Sequence, residues 1–210
     1  MQTFEEQIVS RIYGNGRGWV FSQIDFNDLS GRSTTDWHLT RLEAEGKIQR
    51  VLRGLYLYPE YSEFLGTTLG PDIDRAAQAL ARKFGWRIQP NGEMALNLMR
   101  LSTQVPGRAV YLSDGPSRKY RIGNSTLEFR HTKLKEAGLR LWESGLLVQG
   151  LRALGKERLD DAAIAKMRAW LPTGKREKVR RDTRRVTAWI YEAILKITEP
   201  DGASSEPVRG

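Results

Sequence analysis

Cysteine is absent from the 210-residue chain. That excludes disulfides, thiolate metal sites and cysteine nucleophiles. Histidine is scarce as well, with only His38 and His131. Neither sits in a visible Ser/His/Asp arrangement, and two histidines without cysteines make a poor metal site. No metal or other cofactor is expected. No run of about 18 apolar residues occurs, so no segment reads as a membrane-spanning helix. The opening MQTFEEQIVSRIYG carries acids and a helical pattern. A leader peptide would need a basic segment and an apolar core, so a cytoplasmic protein is expected. No internal repeat appears.

Positive charge is what the chain has in excess. Its 34 Lys and Arg against 25 Asp and Glu leave a formal charge of +9. Such an excess favours a polyanionic partner, because each neutralised phosphate releases counterions. The excess is unevenly spread. Residues 1–58 hold seven basic and seven acidic side chains, 59–171 hold eighteen and twelve, and 172–200 hold eight and four. If the first segment binds DNA, it must place its few cations well, or the rest must help hold the phosphates.

The segment around which the chain is organised is residues 32–58. Ser33 is a good N-cap residue, since its hydroxyl can accept from first-turn amides. Leu39 and Leu42 follow at helical spacing, with Thr35 and His38 near the same face. Gly46 suits the end of that helix, where positive φ costs little. Ile48 and Val51 then alternate with polar residues, Arg53-Gly54 makes a turn, and a second strand runs from Leu55 to Tyr58. Upstream, Phe4, Ile8, Val9 and Ile12 mark a first helix. Gly14 to Gly18 break it, Trp19-Val20-Phe21 form a short strand, and Ser22 with Asp25 is a weak capping box before Ile24, Phe26 and Leu29. The Gly-rich stretch lacks the Gly-Lys-Ser/Thr ending of a phosphate loop. Helix, short strand, helix, turn, helix and two-stranded ribbon is the order of a winged helix-turn-helix over residues 1–60.

Tyr61 to Pro71 reads as a connection and a domain boundary, with Tyr61 and Phe64 expected to pack on something. An α+β domain is expected over 61–198. Its helices are read at 72–84, 93–101, around Leu139 to Leu151, at 160–171 and at 175–197. Its strands are read at 86–89, 109–112, 119–122 and 126–130. The last three suggest an antiparallel meander turning at Asp114-Gly115-Pro116 and Gly123-Asn124. The fold class expected is α/β in the α+β sense: a winged helix, then a small antiparallel sheet with C-terminal helices. A disordered tail is expected over 199–210.

For DNA reading, Thr35, Leu39 and Leu42 facing inward would leave Ser33, Thr34, Trp37, Thr40 and Arg41 outward. Arg can fork to guanine, and Ser or Thr can reach bases or phosphates. Arg32 suits a backbone phosphate, and Arg50 and Arg53 flank the ribbon turn. Trp37 fits either a stacking role or a half-buried core position. A second phosphate or partner surface is expected from Arg118, Lys119 and Arg121, and from Lys175, Lys178, Arg181 and Arg185. The run 175–185 holds seven cations against two acids, too many to share one helix face. An ordinary solvated surface is the plain alternative for all of these. The enzymatic rival is a nuclease using Asp114 with Glu128-Phe129-Arg130. Arg stands where that scheme needs Lys, and Asp114 lies in a turn-like Asp-Gly-Pro. A non-enzyme is expected.

Beyond these local patterns lies a resemblance. It is carried by SRIYGNGRGWVFSQIDFNDL, by the run from Arg32 ending RVLRGLYLYPEYSEFLG, and by RAAQALARKFGWRIQPNGEMALNLMRLSTQVPGRAVYLSDGPSRKYRIGNSTLEFRHT. The chain resembles the AbiEi-like antitoxins of bacterial type IV toxin–antitoxin systems. The middle stretch is the most specific. The resemblance implies a two-domain repressor whose winged helix binds inverted repeats upstream of its own operon. Its C-terminal domain would oppose a nucleotidyltransferase-like toxin, without a stable complex. It implies no catalytic residues. A protein-interaction antitoxin that binds its toxin directly is the first alternative.

Overall fold

The computed structural model describes residues 3–29, 32–103, 108–132 and 139–199, the side chains of residues 32 and 33 excepted. The expected tail over 199–210 therefore lies, from residue 200 on, outside the described residues. The fold mixes α and β. Its contacts divide the chain into two compact units, residues 1–88 with 107–131, and residues 89–106 with 132–210. That division falls elsewhere than the connection at 61–71. No described helix is long and apolar enough to cross a membrane.

In the first unit, α1 (Phe4–Gly14) is capped by Thr3, whose hydroxyl accepts from the Glu6 amide while Glu6 accepts from the Thr3 amide. It buries Ile8 and Ile12. β1 (Val20–Phe21) leads to a 3₁₀ turn at Gln23–Phe26, where the Asp25 carboxylate accepts from the Ser22 amide. α2 (Arg32–Ala44) follows, then β2 (Gln49–Leu52) and β3 (Leu55–Leu57). The helix includes Arg32 and Ser33, so Ser33 lies in its first turn and does not cap it. The three strands form an antiparallel sheet of order β1-β3-β2. Its core joins Ile8, Ile12, Phe21, Phe26, Leu39, Leu42, Ile48 and Tyr56.

The segment after Pro59 is a hairpin, β4 (Glu60–Ser62) with β5 (Thr67–Leu69), and not an irregular connection. The expectation that its aromatics pack is corrected: Tyr61 is exposed and Phe64 is 96% exposed. Two paired strands suffice here because the ladder satisfies the backbone, leaving the side chains at the tip unburied.

α3 (Ile73–Phe84) is capped by Asp72 and holds the unit together. At its C-terminal end Arg82 donates to the Asp25 carboxylate (2.8 Å) and to the Val20 carbonyl (3.0 Å). Near its N-terminus Asp74 accepts from the hydroxyl of Tyr111 (2.7 Å) and from Gln78 (2.6 Å). Tyr111 belongs to the second sheet, built from β6 (Ile88–Pro90), β7 (Arg108–Ser113), β8 (Arg118–Ile122) and β9 (Ser125–His131) in the order β6-β7-β9-β8.

The expected meander is corrected. β7 and β9 are adjacent and parallel, and only β8 and β9 form a hairpin. The chain from β7 crosses the end of β9 and returns as β8 on its far side. Ser113 accepts from the Gly115 amide, the His131 ring bonds the Gly115 carbonyl (3.0 Å), and Ser117 accepts from the His131 amide (2.9 Å). An Asp-Gly-Pro signal is shared by hairpin turns and crossing loops, so it does not distinguish them.

In the second unit, α4 (Gly92–Leu98) packs on α5 (Trp142–Leu154), and α6 (Asp161–Trp170), α7 (Arg176–Asp182) and α8 (Ala188–Thr198) complete a helical layer. Asn91 and Asp160 cap α4 and α6 through carboxamide and carboxylate oxygens. The core holds Met99, Leu146, Leu147, Leu151, Met167, Val179, Ile190, Ile194 and Ile197. The single helix expected over 175–197 is two helices. Buried Thr183 turns its hydroxyl back onto the Val179 carbonyl (2.8 Å), a back-bond that competes with helix propagation. The Asp182 carboxylate then accepts from the amides of Arg140 and Leu141. The apolar stripe survives the break because both helices turn it to the same core.

Burial raises the Asp74 carboxyl above its ordinary range, and the Tyr111 and Gln78 hydrogen bonds pull it partly back. Tyr111→Phe removes a donor that favours the ionised form. It should lower stability by about 1.5–3 kcal/mol at neutral pH, the range for a hydrogen bond to a charged group. The loss should shrink as pH falls through the Asp74 titration, because the neutral carboxyl accepts more weakly. Urea unfolding at neutral and acid pH measures both; an equal loss at the two would contradict the account.

Candidate nucleic-acid interface

α2 turns two faces in opposite directions. Thr35, Leu39 and Leu42 are buried against the core. Thr34, Trp37, Thr40 and Arg41 are exposed, and Trp37 shows 59% of its surface. That settles the position of Trp37 as outward. Thr40 donates back to the Asp36 carbonyl at 2.8 Å. His38 is half-buried, edge-on to the Phe4 ring at 5.1 Å. The side chains of Arg32 and Ser33 lie outside the described residues.

Arg41 is engaged within the protein. It donates to Glu45 (2.9 Å) and Glu5 (2.7 Å), and its guanidinium lies 5.7 Å from the Trp37 ring centre. The hydrogen bond to Glu45, then the charge of Glu5, raise its pKa. Arg50 is engaged likewise by Glu43 at 2.6 Å. Lys47 pairs with Glu45 at 2.8 Å. Three cations next to α2 are thus balanced by three carboxylates, and the neutral count of the sequence becomes a neutral surface. Exposed pairs of this kind are worth only about 0–1 kcal/mol, so a phosphate can compete for them.

The ribbon tip differs. Gly54 adopts φ +69°, a conformation that suits glycine and lets the chain turn in two residues. The carbonyls of Arg53 and Gly54 both accept from the Lys83 ammonium, at 2.9 and 3.1 Å. The tip is therefore fastened to the end of α3. Arg53 itself is exposed and makes no ion pair among the described residues.

The strand pleat separates the cations that the sequence grouped on β8. Arg118 points toward α3, within 5.4 Å of the Phe84 ring centre and 5.7 Å of Trp86. Lys119 and Arg121 point to the other face, since side chains alternate along a strand. There Glu128 accepts from Arg130 (2.9 Å) and Arg108 (3.2 Å), beside Lys119. Arg130 chiefly, against the opposing effect of burial, holds Glu128 below its usual range. Arg108 was overlooked in the sequence because parallel pairing of β7 with β9 is needed to bring it to Glu128, whereas Arg130 stands two residues from Glu128 on the same strand.

The two carboxylates of the nuclease alternative are likewise committed to arginines. Burial pushes Asp114 up, but its bonds to the Arg87 guanidinium (2.9 Å) and amide (2.8 Å) outweigh that and hold it low. Among the described residues no three or more His, Asp or Glu gather as a metal-ion site.

In the second unit the basic run is divided by the helix break. Lys175 pairs with Glu143 and Arg181 with Glu177. Lys178 and Arg185 are exposed, whereas Arg176 is buried.

Lys83→Met should loosen the ribbon tip without unfolding the chain. The expected readout is faster cleavage after Arg53 by an arginine-specific protease at an unchanged unfolding midpoint. An unchanged cleavage rate would show that the Lys83 bonds do not hold the tip.

No curated protein matches the chain. Residues 7–179 match a family described only as a family of unknown function, DUF6088. The match spans most of both compact units, and the chain belongs to that family.

Proposed function

We propose that residues 1–60 form a winged helix-turn-helix, and that the protein is a sequence-specific regulator binding duplex DNA. The observation that carries this reading is the exposed face of α2, with Thr34, Trp37, Thr40 and Arg41, next in the chain to a fastened ribbon presenting Arg53. A helix about 10–12 Å across fits the major groove, and a ribbon tip can reach an adjacent phosphate. The unit also holds more charge than its first 58 residues. With 107–131 included it carries sixteen basic against thirteen acidic side chains.

The narrower reading rests on the sequence resemblance alone. In it, the protein is the antitoxin of a type IV system and represses its own operon, opposite a nucleotidyltransferase-like toxin. A second reading has a specific observation in its favour. Tyr61, Phe64 and Leu65 are exposed at the β4–β5 hairpin beside Glu60 and Glu63. An apolar, acidic tip repels phosphate and suits a protein partner. Co-purification of an untagged neighbouring toxin, lost on Phe64→Ser, would favour that reading.

Binding of the full chain to the duplex upstream of its own coding region tests the DNA reading. Fluorescence anisotropy should give tighter binding there than to a shuffled duplex. Thr34→Ala with Arg41→Ala should erode the preference by about 1–3 kcal/mol per lost base contact. Arg53→Ala should weaken both duplexes equally. Equal affinity of the wild-type chain for the two sequences would defeat the reading.

A further inference from the structure

We propose that the duplex-binding surface continues from the ribbon tip across the end of α3 onto β8, where Arg118 grips a backbone phosphate. This rests on the reading of α2 and the ribbon as DNA-binding. It adds a contact from a strand 65 residues beyond the tip in sequence.

The contact runs through named groups. Lys83 fastens the tip and lies 5.6 Å from the Phe84 ring centre. Phe84 stacks on Trp86, with centres 4.7 Å apart and planes at 24°. Trp86 is anchored in turn: its ring meets Phe129 edge-on at 5.5 Å, and a Cβ at Gly115 would run into it. The Arg118 guanidinium lies 5.4 Å from the Phe84 ring centre and 5.7 Å from that of Trp86. Phe84 is nonetheless 39% exposed, although its stacked partner is half-buried. Arg53 and Arg118 both lack a carboxylate partner among the described residues, unlike Arg41, Arg50, Arg108 and Arg130. Arg53 and Arg118 thus lie at either end of one structure, Arg53–Lys83–Phe84–Arg118.

A guanidinium steadied by aromatic rings has less rotamer freedom to lose on binding, and its fork geometry suits two phosphate oxygens. A carboxylate partner would have to be displaced first, and Arg118 has none to displace. The hairpin tip at Phe64, also exposed, carries acids instead and does not share this character. Duplex DNA is the partner that fits, because the site adjoins the ribbon tip and offers a phosphate contact with no base-reading groups beyond the rings.

The test compares Arg118→Ala with Arg121→Ala, which removes the same charge from the opposite face of the same strand. Full-length proteins are titrated with the upstream duplex and a shuffled duplex at several salt concentrations. Arg118→Ala should lower the slope of log K against log salt by about 0.9, the value for one phosphate. Affinity should fall by the same factor on both duplexes, so the preference is unchanged. Arg118→Lys should keep most of the slope, and Arg121→Ala should leave it at the wild-type value. Equal effects of Arg118→Ala and Arg121→Ala, or a wild-type slope for both, would overturn the proposal while leaving the DNA reading intact. A wild-type chain that binds neither duplex, or prefers an RNA duplex, would overturn both. Unfolding midpoints of all variants separate a lost contact from a lost fold.

Discussion

The arrangement of the first unit depends on how α3 is held at its two ends. Near its start, Asp74 takes the buried Tyr111 hydroxyl of the parallel-paired strand β7. At its finish, Arg82 reaches Asp25 and the Val20 carbonyl, and Lys83 reaches the two carbonyls of the ribbon turn. One helix of twelve residues thereby ties two separate sheets to each other. The Arg82 and Lys83 bonds come from charged donors and the Tyr111 bond ends on a carboxylate, so each is directional. Without them, the turn at the ribbon tip would be held only by the β2–β3 ladder. With them, the tip and the rings at the end of α3 occupy fixed places.

Ion pairing divides the arginines of the first unit into two groups. Around α2 and β2 the arginines sit against Glu5, Glu43 and Glu45. Around the tip and β8 they do not. A neutralised helix can still read bases, because exposed pairs open cheaply and acids penalise a poorly matched duplex. An unpaired cation offers phosphate attraction at once, but little discrimination. In the proposed DNA complex, choice of sequence and strength of hold would thus fall to different residues. The division also explains how a helix-and-ribbon segment of zero net charge can belong to a basic protein. Part of the excess joins it from β7, β8 and β9, where residues 107–131 hold five basic and two acidic side chains.

The local elements were legible in the sequence because each depends on near neighbours. Leu39 and Leu42 marked the inner face of α2, and Arg53-Gly54 marked the turn. Asp160 marked the start of α6, and Pro172 followed close on its end. What escaped depends on pairing between distant strands. No periodicity reveals that β7 runs parallel beside β9, so Arg108 was not brought to Glu128. Tyr61 and Phe64 read as packed because aromatics usually are, yet a hairpin ladder leaves them outside. Thr183 broke a helix whose apolar stripe continued unbroken. The run Lys83-Phe84-Gly85-Trp86-Arg87 did carry a usable signal. It interleaves cations with aromatics, but its meaning depends on the ribbon tip thirty residues earlier in sequence.

In the proposed complex, α2 and the fastened ribbon face a DNA duplex. Hydrogen exchange of the full chain with and without the upstream duplex tests it most directly. The account predicts added protection in the exposed part of α2 around residues 34–41 and in the ribbon turn around 52–55, with residues 60–69 unchanged. Protection confined to the β4–β5 hairpin or to the second unit would contradict it.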